Sequence, residues 1–199
     1  MRPGDTAAVL PQPDPEVVRK AQRGDAAAFS ELVRAYEEPV FNYVNRLVGD
    51  RGLAEDLTQE VFLRVHQSLP GFSFRSKFTT WLFQVTKNRV FDEFRARERR
   101  PKTVELDSVR PLVADAVEPF ETVEALWRAL ERLDVDLKTP LLLRDVVGLS
   151  YSEIEDCLEI SLPLVKWRIF KAREGVRLAL AREGIRPGRR AELGRAASA

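Results

Sequence analysis

Apolar residues recur every three or four positions from about residue 14 to residue 100, and again from about residue 120 to residue 183. That is the period of a helix buried along one side. Asp14 followed by Pro15 starts a short helix, because aspartate caps exposed amides and proline loses little at the first position. Asp25 caps a second helix, whose apolar side carries Phe29, Leu32, Val33, Tyr36, Val40, Phe41, Val44 and Leu47. Pro39 should kink it. Gly49-Asp50-Arg51-Gly52 is a break. A third helix covers residues 53–69 with Leu57, Val61, Phe62 and Val65 inward, and Pro70-Gly71 ends it. After a short loop, residues 72–77, a long helix runs over residues 78–99.

Residues 101–119 contain Pro101, Pro111 and Pro119 with little periodicity and read as a linker. Helical patterns resume over residues 120–133 and 139–147. The stretch from Gly148 to Arg173 is the most specific of the chain. Ser150 and Glu153 have capping-box spacing, and Ile154, Cys157 and Leu158 form an apolar stripe behind them. Ser161 is a second N-cap candidate, and Pro163 falls in the first turn of a helix bearing Lys166, Arg168, Lys171, Arg173 and Arg177. Two short helices with a tight turn and a basic second member form a helix-turn-helix, which places that member in the major groove. Val165, Ile169 and Ala172 face the core in this projection; Lys166, Trp167, Phe170 and Lys171 share the exposed side. No strand alternation and no internal repeat is present. The expected fold is all-α, with two small helical domains at 14–100 and 120–183. A flexible linker at 101–119 joins them, a loose tail precedes them at 1–13, and a basic flexible tail follows at 184–199.

Composition changes this picture in one respect. The net charge over 199 residues is only +1, but the charge is segregated. Residues 165–190 hold nine Lys or Arg against two acids, whereas residues 103–124 hold six acids and one Arg. A basic surface and an acidic connector follow. The chain has one Cys and one His, Cys157 and His66, which excludes an internal disulfide and leaves too few soft ligands for a metal site. No nucleophilic triad, carboxylate pair or phosphate-binding glycine loop is visible, so no enzymatic activity and no cofactor are expected. No apolar run reaches membrane-spanning length, and a soluble intracellular protein with no direct membrane insertion is expected.

The first lobe resembles the core domain of bacterial RNA polymerase sigma factors of the sigma-70 family, extracytoplasmic-function group. The residues that carry the likeness are Ala54-Glu55-Asp56-Leu57-Thr58-Gln59-Glu60-Val61-Phe62-Leu63-Arg64-Val65, then Phe78-Thr79-Thr80-Trp81-Leu82 and Lys87-Asn88-Arg89 with Asp92 beyond. The second lobe resembles the C-terminal domain of the same group through Leu143-Arg144-Asp145, Gly148-Leu149-Ser150-Tyr151, Glu153-Ile154 and Val165-Lys166. The likeness spans roughly residues 14–183. It implies a transcription initiation factor that binds core RNA polymerase at a clamp coiled coil of the β′ subunit. It also implies melting of the downstream (−10) promoter element as single strand by the first lobe and reading of the double-stranded upstream (−35) element by the second. An anti-sigma factor is the further partner it implies, and the bacterial cytoplasm, at the nucleoid when active, is the location it implies.

The resemblance places polymerase docking on Asp56, Leu57, Gln59, Glu60 and Leu63. Downstream DNA falls to Phe72, Phe74, Arg75, Ser76 and Lys77 in the loop, with Asn88 as a base-edge reader on the adjoining helix. Rings and cations are what a melted strand needs, since every base has a π-face and every nucleotide a phosphate. Upstream DNA falls to Arg144, Lys166, Trp167, Arg168, Phe170 and Lys171. Five positions depart from the group's pattern. Glu155 replaces a small residue, Glu159 a turn glycine, Pro163 and Leu164 a Gly-Thr pair, and Trp167 a residue that is often Ser. Glu159 challenges the turn, because glycine adopts positive φ at low cost. Two other classes compete: an autonomous helix-turn-helix regulator, which lacks a visible dimer interface or ligand domain, and a decoy that imitates a sigma factor.

Overall fold

The computed structural model describes residues 10–99 and 120–185. Expectations that fall on residues 1–9, 100–119 and 186–199, the linker among them, lie outside the described residues. Eight helices and no strand make up the described chain.

In the first lobe the capping aspartates set the helix starts. Asp14 accepts from the Glu16 amide ahead of α1 (Pro15–Gln22). Asp25 accepts from the amides of Ala27 and Ala28 ahead of α2 (Ala26–Val48), which ends at Gly49 in the left-handed region. Asp50 accepts from Leu53 and starts α3 (Arg51–Ser68) two residues before the sequence break suggested, with Gly52 inside its first turn. A 3-10 turn (Leu69–Gly71) closes α3, and α4 (Phe78–Arg99) follows. Leu32, Tyr36, Val40, Val44 and Leu47 of α2 meet Ala54, Leu57, Val61 and Val65 of α3, all nearly fully buried. Each such side chain contributes about 1.5–3 kcal/mol by leaving water, less for alanine.

Residues 10–13 are not a loose tail. The Tyr36 hydroxyl donates to the Pro11 carbonyl at 2.6 Å, and Gln12 donates to the Thr79 hydroxyl at 2.5 Å. Tyr36 is 2% exposed, so its hydroxyl needs an acceptor inside the fold, and burial pushes its pKa up to about 12.

The second lobe is α5 (Phe120–Glu131), α6 (Val135–Asp145), α7 (Tyr151–Leu158) and α8 (Leu162–Arg182). Helix α6 starts four residues earlier than the pattern suggested. Asp134 caps it through the Asp136 amide, and Pro140 is carried inside. Ser150 and Glu153 form the complete capping box of α7, with both reciprocal bonds present. The turn after α7 does bend through Glu159, at φ 56 and ψ 40. The fold thus keeps the left-handed turn and strains a glutamate to make it.

The lobes pack on each other, α7 against α4 and α6 against α2. One apolar core runs through both.

Because Glu159 has a β-carbon in the left-handed region, Glu159→Gly will be more stable than Glu159→Ala by about 1 kcal/mol. Both variants lose the same carboxylate, so the difference isolates backbone strain. Urea unfolding of the two measures it, and equal midpoints would mean that Glu159 carries no strain.

Candidate polymerase and nucleic-acid interfaces

Helix α3 presents Asp56, Gln59, Glu60 and Leu63 to solvent on one side. Leu63 is 63% exposed, a large apolar side chain amid acids. Leu57, placed with them by sequence, is 1% exposed and belongs to the core beneath. Glu60 is held in place. Its carboxylate accepts from the Arg89 guanidinium, which is 8% exposed and also donates to Glu93 at 3.1 Å. Glu93 in turn takes Arg97, and Arg64 bridges to Asp92 at 2.7 Å. Arg89 therefore orients the acidic face from below. The sequence offered the signal for this, an Arg89–Glu93 pair one helical turn apart, but no role was read from it.

The loop before α4 divides its aromatics. Phe72 is 6% exposed and packs on Trp81, Phe78 and Phe74, with ring centroids 5.0, 5.9 and 4.8 Å away. Phe74 is 41% exposed, has φ 57, and lies 5.3 Å from the Arg19 guanidinium. A phenylalanine in the left-handed region is strained, and such residues gather where a ligand is held. Arg75 is exposed and Ser76 half-buried. Lys77 crosses to the second lobe and pairs with Glu153 at 2.9 Å. Asn88 is exposed on α4, but eleven residues beyond the loop. At the helical rise that is roughly 16 Å along the axis. Loop and amide are not parts of one pocket.

In α8 the helical faces separate cleanly. Val165, Ile169 and Ala172 are at most 1% exposed, whereas Trp167 is 53% and Phe170 63% exposed. Lys166 and Lys171 flank those rings, Lys171 reaching Glu174 at 2.8 Å. Arg168 points elsewhere, donating to Asp136 of α6 at 3.2 Å. Arg144 donates to the Leu149 carbonyl at 2.9 Å and lies over Tyr151, so it braces the turn that leads into α7.

Two of the unusual residues have structural work at the turn. Ser161 sits at the N-cap of α8 without a capping hydrogen bond. The Glu155 carboxylate takes that place, accepting from the Leu162 amide at 2.9 Å. Glu159 accepts from Gln84 of α4 at 3.1 Å.

Several carboxyls are tuned. Burial pushes the Glu153 carboxyl up, but the Lys77 ammonium and the Ser150 amide and hydroxyl outweigh it, leaving its pKa below the ordinary glutamate value. Glu93 behaves alike, with Arg89 and Arg97 outweighing its burial. The stability these two depressed carboxyls contribute is present at neutral pH and is lost as pH falls through their folded pKa values. Among the described residues no group of His, Cys, Asp and Glu is placed to hold a metal ion, and no helix is long and apolar enough to cross a membrane.

The model of Sigma-70 region 2 matches residues 32–100, and that of Sigma-70 region 4 matches residues 123–174. RNA polymerase sigma-H factor of Pseudomonas aeruginosa is 31% identical over 180 residues, covering 84% of this chain and 93% of that protein. The ECF RNA polymerase sigma-E factor of Escherichia coli is 31% identical over 182 residues, covering 82% and 92%. The chain belongs to the extracytoplasmic-function group of RNA polymerase sigma factors. Among solved structures, the sigma factor RpoE in complex with the anti-sigma factor NepR from Bartonella quintana has TM-score 0.70. It is 21% identical and covers 77% of this chain and 96% of that one. CnrH in complex with the cytosolic domain of CnrY has TM-score 0.65 at 22% identity, covering 83% and 96%. Both share the fold.

For this sigma factor, the start of α8 hangs on the Glu155 carboxylate. Glu155→Ala will expose the Leu162 amide and lower stability by about 1 kcal/mol, the usual worth of a helix cap. Faster hydrogen exchange at Leu162, measured by NMR, checks it. Unchanged exchange there would mean that another group caps α8.

Proposed function

We propose that this sigma factor docks on core RNA polymerase through the exposed acid-flanked face of α3, reads upstream duplex with α8, and holds the melted downstream strand on α4 and its preceding loop. The division of α8 carries the reading. A helix that buries Val165, Ile169 and Ala172 on its inner side keeps two large rings, Trp167 and Phe170, in water between lysines. Monomer surfaces seldom present such a pair without a partner. Rings of this kind contact thymine methyls, and the indole N–H donates without accepting. Lys166 and Lys171 supply phosphate or guanine contacts. Arg144 acts through the turn it braces as well as through any backbone contact.

On α3, Leu63 supplies the apolar centre of the docking face, and Asp56, Gln59 and Glu60 its charge, with Arg89 fixing the Glu60 carboxylate. Charge complementarity to a basic coiled coil would speed encounter and fix register. Phe74, Arg75 and Asn88 contact the melted strand at different nucleotides, given the length of helix between them. Phe72 supports Phe74 from beneath. Strand opening draws on binding free energy, not on nucleotide hydrolysis. The protein works in the cytoplasm, and an anti-sigma factor is its expected antagonist, since RpoE from Bartonella quintana, which shares the fold, is bound by the anti-sigma factor NepR.

Transcription from a promoter library with randomised upstream and downstream blocks, using purified core polymerase, tests the reading. Initiation should depend on the chain and select two separated blocks. Asp56→Arg with Leu63→Ala should abolish initiation from every promoter while the helical circular dichroism signal stays. Trp167→Ser should change preference in the upstream block alone, by about 1–3 kcal/mol at the base pair it touches. Promoter binding that is equally tight without polymerase, with no effect on initiation, would refute the proposal.

A further inference from the structure

Residues 10–31 lie outside the matched Sigma-70 region 2, which begins at residue 32. The structure nevertheless ties this segment to the loop ahead of α4 at three points. Gln22, the last residue of α1, donates from its side-chain amide to the Leu69 carbonyl at 3.0 Å and the Phe72 carbonyl at 2.7 Å. It closes the turn from which the loop leaves. Gln12 holds the other end. It donates to the Thr79 hydroxyl at 2.5 Å and accepts from the Thr79 amide at 3.4 Å, in the first turn of α4. Between the two, the Arg19 guanidinium lies 5.3 Å from the centre of the Phe74 ring.

These contacts bear on the strained residue of the loop. Phe74 has φ 57, a conformation that a phenylalanine keeps only where its surroundings over-determine it. Its ring is 41% exposed, so burial alone does not hold it. Phe72 packs against it from beneath at 4.8 Å, and the Phe72 carbonyl is the one that Gln22 grips more closely. The Gln22 amide therefore fixes the backbone on which Phe74 stands. Arg19 is placed for a different task. It pairs with Glu16 at 3.6 Å, with 52% and 51% of the two side chains in water, an arrangement worth little. Glu16 also takes Arg23 at 3.1 Å, so it keeps a partner when Arg19 turns away. A guanidinium beside a partly bare ring has the chemistry of a single-strand site, where the ring stacks a base and the planar cation takes a phosphate.

We propose that α1 belongs to the downstream-strand site. Gln22 is a positioning residue that holds Phe74 in its strand-binding conformation, and Arg19 supplies a cation to the phosphate of the nucleotide that stacks on Phe74. The proposal rests on the reading of Phe74 as a strand contact.

Holoenzyme assembled from the full chain and core polymerase tests it, with initiation selected from a library randomised in both promoter blocks. Gln22→Met keeps the length of the side chain and removes the donor. Discrimination in the downstream block should fall about tenfold, the worth of one to two hydrogen bonds. Upstream preference and affinity for core polymerase should stay as in the wild type. Gln22→Met combined with Phe74→Ala should discriminate no worse than Phe74→Ala alone, because the glutamine acts through the ring. A glutamine that served stability alone would add its own loss in both blocks. Arg19→Gln is a surface change and reads the second role. The salt dependence of holoenzyme binding to a fluorescent single-stranded oligonucleotide of the selected downstream block should lose about 0.7 from its log–log slope, one phosphate contact. Arg19→Lys should restore it. Unchanged downstream discrimination in Gln22→Met would overturn the positioning role, and an unchanged salt slope in Arg19→Gln the phosphate contact. An effect of Phe74→Ala with none from either α1 variant removes the proposal and leaves the reading of the loop. If Phe74→Ala itself leaves the downstream block unaltered, that reading fails and the proposal with it.

Discussion

An eight-residue helix has no stability of its own in water, and yet the rest of this structure is arranged around one. Helix α7 exists because its capping box closes one end and because Ile154 and Cys157, both 0% exposed, are buried on its inner side. Everything that makes the second lobe useful follows from its position. The Glu155 carboxylate reaches forward to hold the first amide of α8, and Glu159 bends the chain so that α8 crosses beneath. Arg144 ties the preceding turn to Tyr151. The same short helix lies on α4, so the placement of α8 and the packing of the two lobes depend on one burial.

Local signals in the sequence were enough for most of the helices. Asp14, Asp25 and the Ser150–Glu153 pair each form the caps their spacing suggested, and α4 occupies the stretch its flanks delimited. The start of α6 was hidden by Pro140. A proline usually marks a boundary, but here Asp134 had already nucleated the helix, and tertiary burial of Leu141, Leu142 and Leu143 compensates for the missing amide. Phe72 illustrates a different limit. An aromatic in a polar loop reads as exposed, and only the three-dimensional placement of Trp81 and Phe78 draws it inward.

Contacts between distant segments were the least legible. Tyr43 was not marked as part of the apolar stripe of α2, and nothing in its neighbourhood says that Cys157, over a hundred residues away, will lie near it. The role of Arg89 beneath Glu60 was missed for the same reason: the partner sits on another helix. The residues that depart from the group's pattern were visible at once, but their effects were not. Glu159 does not abolish the turn; it adopts the strained conformation and gains a bond to Gln84. Glu155 converts a departure into a cap.

Two surfaces follow from this arrangement: the acid-flanked face of α3 proposed for core polymerase and the ring-bearing face of α8 proposed for upstream duplex. Photocrosslinking measures both in one preparation. A benzophenone amino acid replaces Leu63 of α3 or Trp167 of α8, both exposed, in the chain bound to core polymerase on promoter DNA. Leu63 is expected to crosslink to a polymerase subunit and Trp167 to the duplex. Crosslinks from Leu63 to no polymerase subunit, or from Trp167 to no DNA, would contradict the account.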